Sequence, residues 1–155
     1  MDSSSIEFEQ LPIPAKYGRV LYRIFYVVER GRSPVMEIFQ SLDSSVRDDI
    51  KDLICRMATM HNLKSPKIKY HLKGYNYGEI RPMPHRFFFF QHCGKNIIFF
   101  EYLLKKQSSF DDRVYHDIQQ KKERYATAFE RYVQGCRGLF CRSSNGQSEG
   151  LGDDQ

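Results

Sequence analysis

Tryptophan is missing altogether, and cysteine is sparse: Cys55, Cys93, Cys136 and Cys141 are the only four in 155 residues. None is spaced as CxxC and none has a histidine at zinc-finger distance, so structural zinc is not expected and the four read as reduced thiols. No run approaches the roughly 18 apolar residues of a membrane span. The opening MDSSSIEFEQ has no basic stretch followed by an apolar core, as a secretory signal would. These lacks predict a soluble, cytoplasmic chain with no membrane, metal or cofactor. Acidic residues are also scarce in one place. Between Lys64 and Lys106, nine Lys and Arg face only Glu79 and Glu101, a net +7, whereas the segments on either side each come to −1. The whole formal excess of +5 therefore sits in this segment, which points to a polyanionic partner.

What is present suits one domain. The chain is long enough for a single core, and Tyr and Phe carry the aromatic content. Residues 1–17, polar and broken by Pro12 and Pro14, read as a flexible arm. From Arg19 the text VLYRIFYVVER predicts a buried strand bounded by Gly18 and Gly31. Ser33 and Pro34 start a short helix, and Asp43 or Ser44 caps a second, giving a helical hairpin over the sheet. Tyr77 to Arg81, Arg86 to Gln91 and Asn96 to Leu104 read as a three-stranded antiparallel meander, with a turn at His92-Cys93-Gly94-Lys95. Ser109, with Asp112 three residues on, then caps a last helix whose apolar stripe is Val114, Ile118, Tyr125, Phe129 and Tyr132. The fold class is α+β over residues 18–134, and 135–155 read as a mostly disordered tail.

Several short runs are recognisable together: His71-Leu72-Lys73-Gly74, Glu79-Ile80-Arg81, Arg86-Phe87-Phe88-Phe89-Phe90, Ile97-Ile98-Phe99-Phe100 and Leu104-Lys105-Lys106. In order and spacing they resemble the RelE/HigB superfamily of bacterial toxins, most closely its phage-derived branch, over roughly residues 20–134. The resemblance implies a small RelE-like domain and a type II toxin–antitoxin toxin. Such a toxin is a metal-independent endoribonuclease that cleaves messenger RNA, often on the ribosome. It also implies a cognate antitoxin protein, of which helix-turn-helix proteins are one form. The reaction is attack of a ribose 2′-OH on the adjacent phosphate, which needs a proton acceptor, charge stabilisation at phosphorus and help for the departing 5′ oxygen.

Carried over by position, Arg86 would brace the phosphate through its planar donor fork. Arg81 would make a second phosphate contact or share in proton transfer, and Lys106 would assist the leaving oxygen or hold RNA. Lys73, His71, Lys105 and Tyr115 are the expected RNA contacts. The chain departs from the family pattern at Pro82 and Pro84 and in its all-phenylalanine strand, and no histidine or aspartate is fixed as general base. A non-catalytic interaction protein on the same fold, such as a ParE-like gyrase inhibitor or an inactive phage-derived homologue, is the competing expectation. Phe87 to Phe90 could stack bases, but strand alternation beneath helices makes them core residues. His71, His85 and His92 read first as polar surface residues, with His71 the one weighed for a site role.

Overall fold

Val, Ile and aromatic residues that cannot all face one side of a strand need cover on both faces, and this decides the architecture. The computed structural model describes residues 5–105 and 112–136. In chain order the elements are β1 (Ile6–Gln10), a single 3-10 turn (Ala15–Tyr17), β2 (Arg23–Glu29), α1 (Pro34–Ser41), α2 (Ser44–Thr59), β3 (Ile68–Lys69), β4 (Gly78–Ile80), β5 (His85–His92), β6 (Asn96–Leu104) and α3 (Asp112–Gln134). The strands form one mixed six-stranded sheet in the order β1-β2-β6-β5-β4-β3. β2 lies parallel to β6 and all other neighbours are antiparallel. The fold class is therefore α+β, as the sequence implies.

Alternation along β5 and β6 splits the phenylalanines between two cores. Phe88, Phe90, Ile98 and Phe100 join Phe25, Val27 and the α3 residues Ile118, Tyr125, Phe129 and Val133 on one face. Phe87, Phe89, Ile97 and Phe99 join Ile24 and the α1–α2 residues Val35, Ile50, Met57 and Ala58 on the other. A β-bulge at Phe88/Phe89 shifts the register between β5 and β6. The phenylalanines are core, and the sheet is the middle of three layers.

Local signals hold in α1, where the Ser33 hydroxyl accepts from Met36 N–H at 3.2 Å and Pro34 fills the first helical position. Asp43 stands at the α2 N-cap, but its side chain makes no capping bond. The expected Ser109 cap lies outside the described residues, as does the tail from 137 onward.

Three expectations are corrected. Part of the supposed flexible arm is β1, paired with β2 from Ile6↔Glu29 to Gln10↔Phe25. Its cause is a period-two pattern that prolines further along obscured: Ile6 and Phe8 are buried under α3, and Glu7 and Glu9 face solvent. The sheet has six strands rather than four, because β1 and the two-residue β3 extend its edges. Finally, Cys93 is disulfide-bonded, whereas Cys55 and Cys136 are free. Cys93 sits with φ 56° in the tight turn between β5 and β6.

Candidate functional site

β4 is only three residues long and wholly buried, because β3 and β5 flank it and Gly78 lets the β3 backbone approach closely. Its central residue is Glu79, a carboxylate with 5% of its surface exposed. Lys69 pairs with it from β3 and Phe88 from β5. Arg86, two residues before Phe88, therefore shares its face of the sheet. The Arg86 Nε is 3.9 Å from Glu79 Oε1, and Arg81 Nε is 3.8 Å from Oε2.

Neither contact is short enough to be a hydrogen bond, and Oε1 has no hydrogen-bond partner among the described residues. The arginines spend donors elsewhere: Arg81 Nη2 donates to the Pro66 carbonyl at 2.9 Å, and Arg86 Nη1 points at Met83 Sδ at 3.4 Å. Burial pushes the Glu79 carboxyl above the ordinary glutamate range, against the pull of Arg86, Arg81, Lys69 and Lys105. Desolvation wins because no donor meets Oε1 directly. A buried carboxylate with raised proton affinity beside two guanidinium groups is placed to accept a proton while the arginines hold an anion.

The tyrosines close the same end of the sheet. Tyr77 OH donates to the Tyr115 carbonyl at 2.9 Å, and Tyr75 packs against Tyr77, Tyr115 and His116. Gln119 of α3 receives the Asn76 N–H at 3.4 Å and donates to Asn76 Oδ1 at 2.7 Å. Burial, with Glu79 nearby, raises the Tyr115 phenol, which keeps it a donor. Lys105 is anchored by its N–H to the Pro84 carbonyl at 2.9 Å.

The structure thus brings together Arg81, Arg86, Lys105 and Tyr115 of the sequence-predicted set. It does not bring in the others. Lys73 is exposed in the turn before Gly74, and His71 lines a separate cavity with Tyr22, Tyr70 and Gln91. Lys106 lies outside the described residues. His85 is bonded to Tyr102 OH at 2.7 Å, and His92 to Glu130 at 2.7 Å, so each already has a local partner. Sequence reasoning missed Glu79, giving it no role in the site; the available signal was that it is one of only two acids inside a +7 segment. Among the described residues no group of three or more His, Cys, Asp or Glu could hold a metal ion, and no helix is long and apolar enough to cross a membrane.

No protein-family model and no curated protein matches the sequence.

Proposed function

We propose that this chain is a RelE/HigB-like toxin, an endoribonuclease of a type II toxin–antitoxin pair that cuts messenger RNA, on the ribosome, without a metal. The observation that carries the reading is Glu79, buried and lacking a hydrogen bond to Oε1, with Arg81 and Arg86 at 3.8–3.9 Å. Supporting it are the element order strand, helical hairpin, meander and closing helix, and the motif runs on the central strands.

In this reading Glu79 takes the proton from the 2′-OH, whose oxygen bonds to phosphorus as the P–O5′ bond breaks. The products are a 2′,3′-cyclic phosphate and a 5′-hydroxyl end, the departing oxygen taking a proton. Arg86 and Arg81 stabilise the charge that builds at phosphorus, a role for which preorganised guanidinium groups suit a water-poor site. Tyr115, held as a neutral phenol, is the donor closest in chemistry to the leaving oxygen's need, and Lys105 supplies backbone attraction. A cognate antitoxin is the expected protein partner. The cytoplasm fits the substrate, although a disulfide at Cys93 is a bond that reducing compartments disfavour.

Arg86 is only 4% exposed, with Met83, itself 70% exposed, between part of its guanidinium and solvent. RNA can reach it only if the side chains over it, Met83 among them, shift. That closure favours one second reading: a non-catalytic interaction protein on the same fold, such as a ParE-like gyrase inhibitor, in which Arg86 and Glu79 are an internal ion pair. Induced expression separates the two. A ribonuclease arrests growth and shortens transcripts, and Arg81→Ala with Arg86→Ala relieves both; DNA-damage signalling with intact transcripts selects the second reading. Full toxicity of a folded double variant removes both arginines from the site.

A further inference from the structure

The cavity that holds His71 lies on the opposite face of the sheet from Glu79, against α2. Its floor is Met57 and Ile97, both buried, and its walls include Tyr22 and Tyr70. Both rings are fixed from behind. Tyr22 OH is 3.1 Å from His61 Nδ1 and its ring meets the imidazole edge-on, while Tyr70 packs edge-on against Phe89 and donates to the Leu63 carbonyl at 3.3 Å. The rim is Asn62, His71 and Gln91, three hydrogen-bonding side chains that are exposed. Their side chains make no hydrogen bond within the described residues, and no carboxylate, ammonium or guanidinium lines the space. The volume is about 240 Å³, below the roughly 300–1,000 Å³ of pockets for drug-sized ligands.

We propose that this cavity binds a single purine base, adenine by preference, between the Tyr22 and Tyr70 walls with its edge read by Gln91 and Asn62. The chemistry follows from what lines it. An apolar floor with rigid aromatic walls favours a flat ring, because stacking needs surface without further ordering cost. Carboxamides donate and accept side by side, which matches the N6/N7 edge of adenine. Absence of cations from the lining argues that the cavity holds a base rather than a phosphate. Asn62, at φ 51°, is in a conformation that asparagine tolerates better than most residues. The base could come from a free nucleoside or from an unstacked position in an RNA strand, and both present the same edge. The inference stands apart from the ribonuclease reading, since none of its residues touches Glu79 or Arg86.

Adenosine, guanosine and uridine are titrated into the purified full chain, followed by two-dimensional NMR, and a short oligoadenylate and an oligouridylate are titrated in parallel. The expected result is saturable binding of adenosine or oligoadenylate. Gln91→Ala and Tyr22→Leu should each weaken it by about tenfold. Gln91 is exposed, so its replacement leaves folding intact, and the NMR spectrum of each variant verifies this. Binding of oligoadenylate without adenosine assigns the source to a strand, and equal per-site affinity assigns it to the nucleoside. The proposal is overturned if neither ligand binds, if uridine binds as well as adenosine, or if both cavity variants bind like the wild type.

Discussion

Replacing Glu79 by glutamine keeps the shape of the side chain and removes its charge, which separates a catalytic base from an internal counter-ion. At 3.8 and 3.9 Å, Arg81 and Arg86 each attract the carboxylate by about 4 kcal/mol at an effective dielectric near 20. Against this stands the cost of desolvating a charge that is 5% exposed, several kcal/mol per ion. The raised proton affinity of Glu79 says that desolvation exceeds attraction. Glu79→Gln should therefore change unfolding free energy in urea at pH 7 by less than about 2 kcal/mol, rather than the roughly 3–5 kcal/mol of a broken strong buried pair. Single-turnover RNA cleavage should fall by about 10²–10⁴, the usual share of a general base.

The pH dependence has a fixed sign. A carboxyl whose folded proton affinity is raised contributes stability that is fully present below its unfolded value of about 4.3 and is lost as pH rises through the folded value. The stability of wild type relative to Glu79→Gln should decline over that interval, while wild-type cleavage rises over it as the base ionises. Unchanged cleavage in the variant would refute Glu79 as base. A loss of 3–5 kcal/mol would make it a structural anchor for Arg86.

Other perturbations test the scaffold. Gly78→Ala would put a methyl carbon 2.5 Å from the Tyr70 carbonyl oxygen, 2.7 Å from its carbon and closer still to the Lys69 oxygen. Hydrogen exchange should quicken at Ile68 and Arg81, whose amides hold β3 in place, and stability should fall by about 1–3 kcal/mol or more because backbone must move. Phe129→Ala empties a buried site between Phe8 at 4.9 Å and Phe25 at 5.2 Å. It should cost about 3–5 kcal/mol and lower Tm by roughly 6–20 °C in calorimetry, with unchanged chemistry if any activity survives. Glu29 is held below the usual carboxylate range by Arg124 at 2.8 and 3.0 Å, with help from Tyr125 at 2.7 Å. Its stabilisation is present above the unfolded value near 4.3 and lost as pH falls through the folded value. Arg124→Ala should flatten that acid limb, by no more than about 1 kcal/mol because the arginine is half exposed.

The central elements were legible because their signals are local. VLYRIFYVVER, Ser33-Pro34 and the Phe-rich strands each carry a period or a cap that needs no knowledge of the rest of the chain. β1 was hidden because its pattern is brief and lies beside prolines, and only pairing with β2 and cover from α3 make Ile6 and Phe8 buried. β3 is two residues long and exists through contact with β4. At the site, charge type showed in the sequence and charge environment did not. Arg81, Arg86 and Lys105 were visible as cations of a basic segment, but the isolation of Glu79 Oε1 depends on where three other chain segments stop. His71 went the other way: its neighbours along the chain suggested the basic rim, whereas the turn before β4 carries it to the opposite face.

The claim that matters most is that this chain cuts RNA by attack of a 2′-OH. Mapping RNA 5′ ends in cells after induction of the wild type and of Glu79→Gln, with translation running and with it blocked, tests that claim directly. The account predicts new 5′-hydroxyl ends paired with 2′,3′-cyclic phosphates in the wild type, dependent on translation and absent from the variant. Growth arrest without new ends, or new ends bearing 5′-phosphates, would contradict it.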